Sequence, residues 1–176
     1  SLCGDKAWRV RWSMATQLPD IAASLGKDIT NGSLATVFEA LLNDTEAEVR
    51  VMAAANISKM CALLGKEKIV SKILSATQRL VTDSSENARA SLAGVINNVA
   101  SELGRNDTVT HLLPMLLLLL RDETADVRLN IISNLSVINQ VVGVELLSQS
   151  LLPAIVDLSE DAKWRVRLAI IQHIPQ

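Results

Sequence analysis

The chain has 176 residues, of which 49% are hydrophobic and 2% aromatic, and it carries a formal net charge of −2 with a pI near 5.7. This acidic balance argues against nucleic-acid binding, which usually needs a basic surface. The few aromatic residues and the abundance of leucine and alanine favour packed helices over sheets. The longest apolar run, Leu112–Leu120, is about half the length that a bilayer span requires, so no membrane span is expected.

A repeat with a period of 39 residues dominates the sequence. An aspartate marks each repeat, and an arginine follows it six positions later. Self-similarity at such a fixed period is the signature of a solenoid, in which each unit packs only on its neighbours. The aspartates and arginines are therefore expected to be structural; they are Asp5, Asp44, Asp83, Asp122 and Asp161, and Arg11, Arg50, Arg89, Arg128 and Arg167.

Each repeat is predicted to contain two antiparallel helices, A and B. Helix B begins near the aspartate, and its apolar residues follow steps of four and three that place them on one helical stripe. A glycine follows the stripe and is expected to end the helix in a left-handed conformation; these glycines are Gly26, Gly65, Gly104 and Gly143. Helix A is shorter and precedes the aspartate. Pro114 and Pro153 are expected near the start of two A helices, where a missing N–H is harmless.

Taken in chain order, the repeats span residues 1–28, 29–67, 68–106, 107–145 and 146–176, with the first and last truncated. The sequence thus predicts nine helices in one right-handed, all-α solenoid without a sheet. Terminal repeats of a natural solenoid carry a polar outer face, and neither end shows one. The chain is therefore expected to be a segment of a longer array.

The arginine lies too far round helix B to face the aspartate of its own repeat simply. We expect it to reach an aspartate or a turn carbonyl, in particular one in the next repeat, which would form a ladder along the stack. The alternative is that each arginine is a solvated charge.

The chain is not expected to be an enzyme. His111 and His173 are the only histidines, and neither has a serine, cysteine or carboxylate at a spacing typical of a catalytic triad. No glycine-rich phosphate loop occurs. Cys3 and Cys61 lack the spacing of metal ligands, so no metal or other cofactor is expected.

Function is instead expected at the turns between helices A and B. The first and last repeats carry tryptophan followed by arginine where the middle repeats carry alanine or glutamate followed by glutamate, asparagine or aspartate. Tryptophan and arginine are enriched at binding hot spots. The candidate partner-binding residues are Trp8, Arg9, Lys163, Trp164 and Arg165. Alternatively, the two tryptophans cover the neighbouring turn. Trp12, in a column with Val51 and Leu129, is expected in the core.

A helix pair of 39 residues, with aspartate before helix B and Val-Arg inside it, resembles a HEAT repeat. Several longer strings are similar to the scaffolding A subunits of type-2A protein phosphatases. These strings are Asp5–Arg11, Glu46–Arg50, His111–Pro114, Val127–Leu135 and Leu147–Ile171.

The resemblance implies a non-catalytic scaffold that holds a phosphatase catalytic subunit and an exchangeable regulatory B-type subunit on its ridge of turns. It places Trp8 and Arg9 near the end of the regulatory-subunit surface. Lys163, Trp164 and Arg165 fall where the catalytic-subunit contacts begin. A cytoplasmic location, extending to the nucleus, follows from the same likeness. The alternative is a HEAT-type nuclear-transport or other adaptor protein that binds a protein cargo on its concave face; such receptors favour long acidic loops, which this chain lacks.

Overall fold

The computed structural model describes residues 2–173, which contain one short 3-10 turn, Leu2–Gly4, and nine helical stretches. No strand occurs within this range. The B helices are α1 (Trp8–Leu25), α3 (Ala47–Ala55 and Ile57–Leu63), α5 (Glu86–Val95, Ile96–Val99 and Ala100–Leu103), α7 (Ala125–Ser133 and Leu135–Val142) and α9 (Trp164–His173). The A helices are α2 (Lys27–Ile29, Thr30–Leu34 and Ala35–Leu42), α4 (Lys66–Lys68, Ile69–Ile73 and Leu74–Leu80), α6 (Arg105–Asp107, Thr108–Leu112 and Leu113–Leu119) and α8 (Val144–Ser159).

The helices form a solenoid, because each unit packs on the units before and after it. Consecutive B helices lie side by side from α1 to α9. The apolar stripe of each internal B helix is buried, as Val49, Ala53, Ile57 and Met60 in α3 illustrate with at most 1% exposure. The predicted all-α solenoid is confirmed.

Two B helices are interrupted at asparagines of the same repeat position. The side-chain amide of Asn56 donates to the Met52 carbonyl, and that of Asn134 donates to the Asn130 carbonyl. A side chain that bonds to the carbonyl four residues earlier competes with the helical ladder and bends the helix. The interruption therefore follows from local chemistry in both helices.

The connections between repeats consist of one or two residues and include the glycine. Each A helix begins at the residue after the glycine. Pro114 lies in the first turn of the α-helical segment Leu113–Leu119 of α6, as predicted, whereas Pro153 lies inside α8, so the prediction that it is near the start of that helix is wrong. Gly26, Gly104 and Gly143 have φ values of 83°, 76° and 87°, in the region that favours glycine. Gly65 differs, with φ at −72°, so the predicted left-handed conformation is wrong there.

Candidate functional site

The turns between helices A and B line one edge of the solenoid. We call this edge the turn ridge, and it comprises residues 5–9, 44–48, 83–87, 122–126 and 161–165. In every turn the aspartate carboxylate accepts a hydrogen bond from the backbone N–H two residues later. For Asp44 and Asp83 the acceptor distances to the Glu46 and Ser85 amides are 2.9 and 2.8 Å. The carboxylate thus holds the turn that leads into helix B.

An arginine from the preceding repeat binds the same carboxylate. Arg50 of α3 donates to Asp83 through Nε at 2.7 Å and Nη2 at 2.8 Å, which is a bidentate pair. Its remaining nitrogen, Nη1, donates to the Asp44 carbonyl at 2.8 Å and so ties the arginine to its own turn. Each rung therefore joins two neighbouring turns through one side chain. The same contacts link Arg11 with Asp44 and Arg89 with Asp122.

The rungs change toward the end of the chain. Arg128 Nε lies 2.9 Å from Asp161 Oδ2 but is not aligned for a hydrogen bond, so only Nη2 donates to this carboxylate, at 3.1 Å. Arg167 donates through Nη1 to the carbonyls of Asp161 and Ala162 at 2.6 and 3.4 Å. No carboxylate contacts Arg167 among residues 2–173.

The ladder shifts the ionisation of its members. Burial alone would raise the pKa of Asp44, but the hydrogen bonds from Arg11 and from the Glu46 amide, with the positive charges of Arg11 and Arg50, outweigh it and lower the pKa below its ordinary value of 3.8. The pKa of Asp83 is lowered in the same way. The hydrogen bond with Asp83 raises the pKa of Arg50. These carboxylates are therefore held in their charged form by the neighbouring repeat.

The first turn places Trp8 and Arg9 at the start of α1. Trp8 is half-buried and packs against the core, whereas Arg9 is exposed. The Arg9 guanidinium carbon lies 4.8 Å from the centre of the Trp8 ring, which is within the range of a cation–π contact. Part of the Trp8 ring thus covers the turn, and the rest forms a surface with Arg9.

The last turn is more open. Lys163, Trp164 and Arg165 are all exposed, and Trp164 is 63% exposed although its side chain is large and mostly apolar. The Lys163 amide is fixed by the Asp161 carboxylate at 2.8 Å. The backbone beneath Trp164 is therefore set by the ladder, while its side chain is available to a partner.

The middle turns have the opposite charge. Their exposed side chains include carboxylates, whereas the two end turns present lysine and arginine. The ridge thus runs from basic to acidic and back to basic. The acidic residues are Glu46, Glu48, Glu86, Glu123 and Asp126.

Trp12 does not belong to the core, and that prediction is wrong. Its side chain is 38% exposed and lines a groove of about 340 Å³ together with Glu48, Val51 and Asn87. At the same repeat position Leu168 is 42% exposed, whereas Val51, Ala90 and Leu129 are half-buried against the core. The groove gives the ridge an apolar margin next to its acidic middle.

A second set of contacts between B helices was not predicted from the sequence. Side chains of one B helix donate to backbone carbonyls of the previous one: Asn56 to Ala15 at 3.0 Å, Ser91 to Val51 at 2.9 Å and Asn130 to Ala90 at 3.0 Å. Ser91 and Asn130 share one repeat position, and Asn56 lies one turn further along the helix. Since the residue types differ between repeats, the periodicity of the sequence does not predict that these side chains bond to the previous B helix.

We find no metal-binding group or membrane-spanning helix among residues 2–173. No group of three or more His, Cys, Asp or Glu side chains between residues 2 and 173 is arranged to hold a metal ion. Burial raises the pKa of the Cys61 thiol to about 12, which keeps it in the unreactive thiol form. In the same range, no helix combines the length and the hydropathy that a bilayer-spanning segment needs. The feature with clear chemical character is the turn ridge, with its tryptophans and alternating charge.

Two family models match the sequence. One is described as PPP2R1A-like HEAT repeat and matches residues 27–104, and the other is described as HEAT repeat and matches residues 112–142. Together they account for more than half of the chain. The chain is a HEAT-repeat protein. The first match relates it to the scaffolding A subunit of type-2A protein phosphatase. No curated protein matches the sequence significantly.

Several solved structures with the same architecture are designed or engineered proteins. A computationally designed armadillo repeat protein for modular peptide recognition has 25% identity and a TM-score of 0.62, over 99% of this HEAT-repeat protein and 79% of that chain. A designed armadillo repeat protein in complex with the peptide (KR)4 has 23% identity and a TM-score of 0.66, with the same coverage. An engineered protein with 17% identity has a TM-score of 0.58, over 98% of this chain and 92% of that chain. A repeat solenoid of this kind is suited to act as a protein-binding scaffold, and such folds are typically non-catalytic.

Proposed function

We propose that this HEAT-repeat array is a non-catalytic scaffold that holds a phosphatase catalytic subunit and an exchangeable regulatory B-type subunit on the turn ridge. The observation that carries the proposal is the exposure of Trp164, an indole that is 63% accessible beside two exposed cations on a turn whose backbone is fixed. Solvent-exposed tryptophan next to arginine is typical of a hot spot on a protein-binding surface. The match to a PPP2R1A-like HEAT model supports the phosphatase assignment.

The two end turns receive different partners in this proposal. The catalytic subunit contacts Lys163, Trp164 and Arg165, and the regulatory subunit contacts Trp8 and Arg9. The turns between them set the distance between the two partners, because each repeat adds a fixed small step to the stack. The scaffold needs no catalytic residue of its own and no cofactor. Such a complex belongs in the cytoplasm and the nucleus.

Two titrations test this division of the ridge. A purified type-2A catalytic subunit and a purified regulatory subunit are each titrated into the wild-type chain, into Trp8→Ala/Arg9→Glu and into Trp164→Ala/Arg165→Glu. Trp8→Ala/Arg9→Glu should weaken binding of the regulatory subunit at least tenfold and leave binding of the catalytic subunit unchanged. Trp164→Ala/Arg165→Glu should have the opposite effect. If neither purified subunit binds the wild-type chain, the phosphatase assignment fails.

A second candidate function rests on the groove at Trp12. Its apolar wall, formed by Trp12 and Val51, lies beside the carboxylate of Glu48, which suits a basic segment of a protein cargo. An adaptor of the nuclear-transport kind would bind its cargo there. Trp12→Ala would then abolish cargo binding, whereas Trp164→Ala would not change it.

A further inference from the structure

Polar contacts join the ends of neighbouring A helices beside the turn ridge. Arg79, near the end of α4, donates through Nε to the Asn43 side-chain oxygen at 2.7 Å, just after the end of α2. Arg121, just after α6, lies 3.6 Å from the Asp157 carboxylate of α8. The two pairs occupy the same two repeat positions. Each contact therefore crosses the gap between two adjacent turns.

The gap between the third and fourth turns differs, because the same two positions hold Thr82 and Leu118, which cannot form an ion pair. Leu118 is 59% exposed, whereas Leu116 and Leu119 of the same helix are 0% exposed. It lines an open groove of about 340 Å³. Both walls belong to complete internal repeats, since they come from α4 and α6. We call this the Leu118 groove, and it comprises Val81, Thr82, Leu118 and Glu123.

The rim of the Leu118 groove carries an excess of negative charge. The hydrogen bond with Asp122 raises the pKa of Arg89, and the negative charges of Glu123 and Glu86 act in the same direction. Asp122 takes the short contact, at 2.6 Å, whereas the Glu123 carboxylate lies 3.4 Å from the guanidinium and its side chain is 87% exposed. Glu86 accepts a hydrogen bond from the Thr124 hydroxyl at 3.4 Å. One arginine thus faces three carboxylates, and the surplus negative charge attracts cations.

We propose that the Leu118 groove docks an extended basic segment of a protein partner, with an apolar side chain of that segment packed on Leu118 between flanking lysines or arginines. The flanking cations reach Glu86 on the third turn and Glu123 on the fourth, so the segment crosses the groove along the ridge. The groove has room for a few side chains, which suits a short segment better than a folded domain. Charge complementarity of this kind selects the partner and speeds its association.

The site is independent of the phosphatase assignment. It lies between the turn of Trp8 and the turn of Trp164, so a segment can occupy it while both end turns hold their partners. It is also separate from the groove at Trp12, which is lined by residues of α1, α3 and the third turn. The middle of the ridge would then bind a third partner in addition to setting a distance.

Fluorescence anisotropy with labelled synthetic peptides tests the proposal on the 176-residue chain. The peptide Arg-Lys-Leu-Leu-Lys-Arg should bind saturably at micromolar concentrations. Arg-Lys-Ser-Ser-Lys-Arg keeps the charge but lacks the apolar anchor, so it should bind about tenfold more weakly. No binding of the first peptide, or equal binding of both, would overturn the proposal.

A double variant closes the groove in the way that its neighbour is closed. Thr82→Asn/Leu118→Arg places at these two positions the residues that form the Arg79–Asn43 contact, so it should stay folded and bind the leucine peptide about tenfold more weakly. Ala40→Arg is the matched control, since it adds the same charge at the equivalent exposed position of α2 and should bind like the wild type. Wild-type affinity in the double variant would contradict the assignment.

The rim carboxylates are tested separately. Glu86→Gln and Glu123→Gln should each weaken the leucine peptide about threefold, whereas Glu67→Gln, at an exposed position near the start of α4, should not. Equal affinity in all three glutamine variants would show that the rim does not bind the cations.

Two further variants locate the peptide on the ridge. Trp12→Ala and Trp164→Ala/Arg165→Glu should bind the leucine peptide like the wild type, because none of these residues lines the Leu118 groove. A loss of affinity in either would place the peptide elsewhere and overturn the proposal. Occupation by a second copy would instead appear in sedimentation velocity as self-association that Thr82→Asn/Leu118→Arg abolishes, and it would also overturn the proposal. Circular dichroism checks that every variant is folded.

Discussion

Arg50 and Asp83 are 33 positions apart in the sequence, yet two hydrogen bonds, Nε to Oδ2 at 2.7 Å and Nη2 to Oδ1 at 2.8 Å, join them across the boundary of two repeats. Both side chains are largely buried, with exposed fractions of 15% and 9%. A buried charge that loses its partner is costly, because the remaining charge has no water to solvate it. Loss of either residue should therefore disturb the alignment of the two adjacent turns.

The first prediction concerns the strength of a rung. Arg89→Ala should lower the free energy of unfolding by about 3 kcal/mol, since the Asp122 carboxylate would remain buried without its bidentate partner. Arg128→Ala should cost less, because Arg128 makes one aligned hydrogen bond to Asp161. Urea unfolding followed by circular dichroism measures both changes.

Arg121→Ala serves as the control for this series. Arg121 is 53% exposed and lies 3.6 Å from Asp157, which is also exposed, so its loss should cost less than about 0.5 kcal/mol. An Arg89→Ala variant as stable as Arg121→Ala would mean that the ladder arginines act as solvated charges.

The second prediction is a loss of stability in acid. The pKa of Asp44 and of Asp83 is lower in the folded chain than the ordinary value of 3.8. The unfolded chain therefore binds protons first as the pH falls. The stability that Asp44 and Asp83 contribute is fully present above the ordinary pKa. It is lost as the pH falls from about 4 through the pKa values of the folded chain. Thermal midpoints measured from pH 7 to pH 2 should fall steeply in this window.

An Arg50→Ala variant isolates the cause of this acid sensitivity. Without the guanidinium, the pKa of Asp83 loses its strongest lowering influence and keeps only those of the Ser85 amide and Arg89 against burial, so the acid-dependent loss of stability should be smaller than in the wild type. An unchanged pH profile in this variant would assign the acid sensitivity to other carboxylates.

The third prediction contrasts two glycines at equivalent positions. Gly104→Ala should destabilise the chain by roughly 1 kcal/mol, because its φ of 76° is unfavourable for a residue with a Cβ. Gly65→Ala should be neutral or stabilise by roughly 0.4–1 kcal/mol, since its φ of −72° suits alanine and the new Cβ would sit 3.6 Å from the Asn31 side chain. Equal effects at both positions, measured by thermal unfolding, would contradict this distinction.

The fold could be predicted from the sequence because the aspartate–arginine ladder and the apolar stripe recur in every unit. Asp44 and Arg50 recur with their neighbours at a fixed period, and the apolar stripe that includes Val49 and Met60 marks the buried face. Three details were predicted wrongly: the position of Pro153, the conformation of Gly65 and the burial of Trp12. A helical stripe does not mark the first turn of helix A, so the start of α8 relative to Pro153 was misjudged. Trp12 shares a column with apolar residues that are themselves only partly buried, so its outward position gave no contrast.

Less of the candidate site could be predicted from the sequence. The tryptophans stand out from the sequence because they break the column that holds Ala47 and Ala125, but their exposure depends on the packing around each turn. Trp8 lies against the core, whereas Trp164 projects into solvent. Contacts such as that of Ser91 with the Val51 carbonyl involve a side chain and a backbone group 40 positions apart, and a column whose residue types vary does not predict them.

The central claim is that one set of columns holds the stack together while another set binds partners. The most direct measurement determines, for the same variants, both the affinity for a purified type-2A catalytic subunit and the free energy of unfolding. Trp164→Ala/Arg165→Glu should weaken binding at least tenfold and leave the unfolding free energy unchanged within about 0.5 kcal/mol. Arg89→Ala should lower the stability by about 3 kcal/mol and keep the affinity of the folded chain. Full affinity in the Trp164 variant, or a loss of stability equal to that of Arg89→Ala, would contradict the claim.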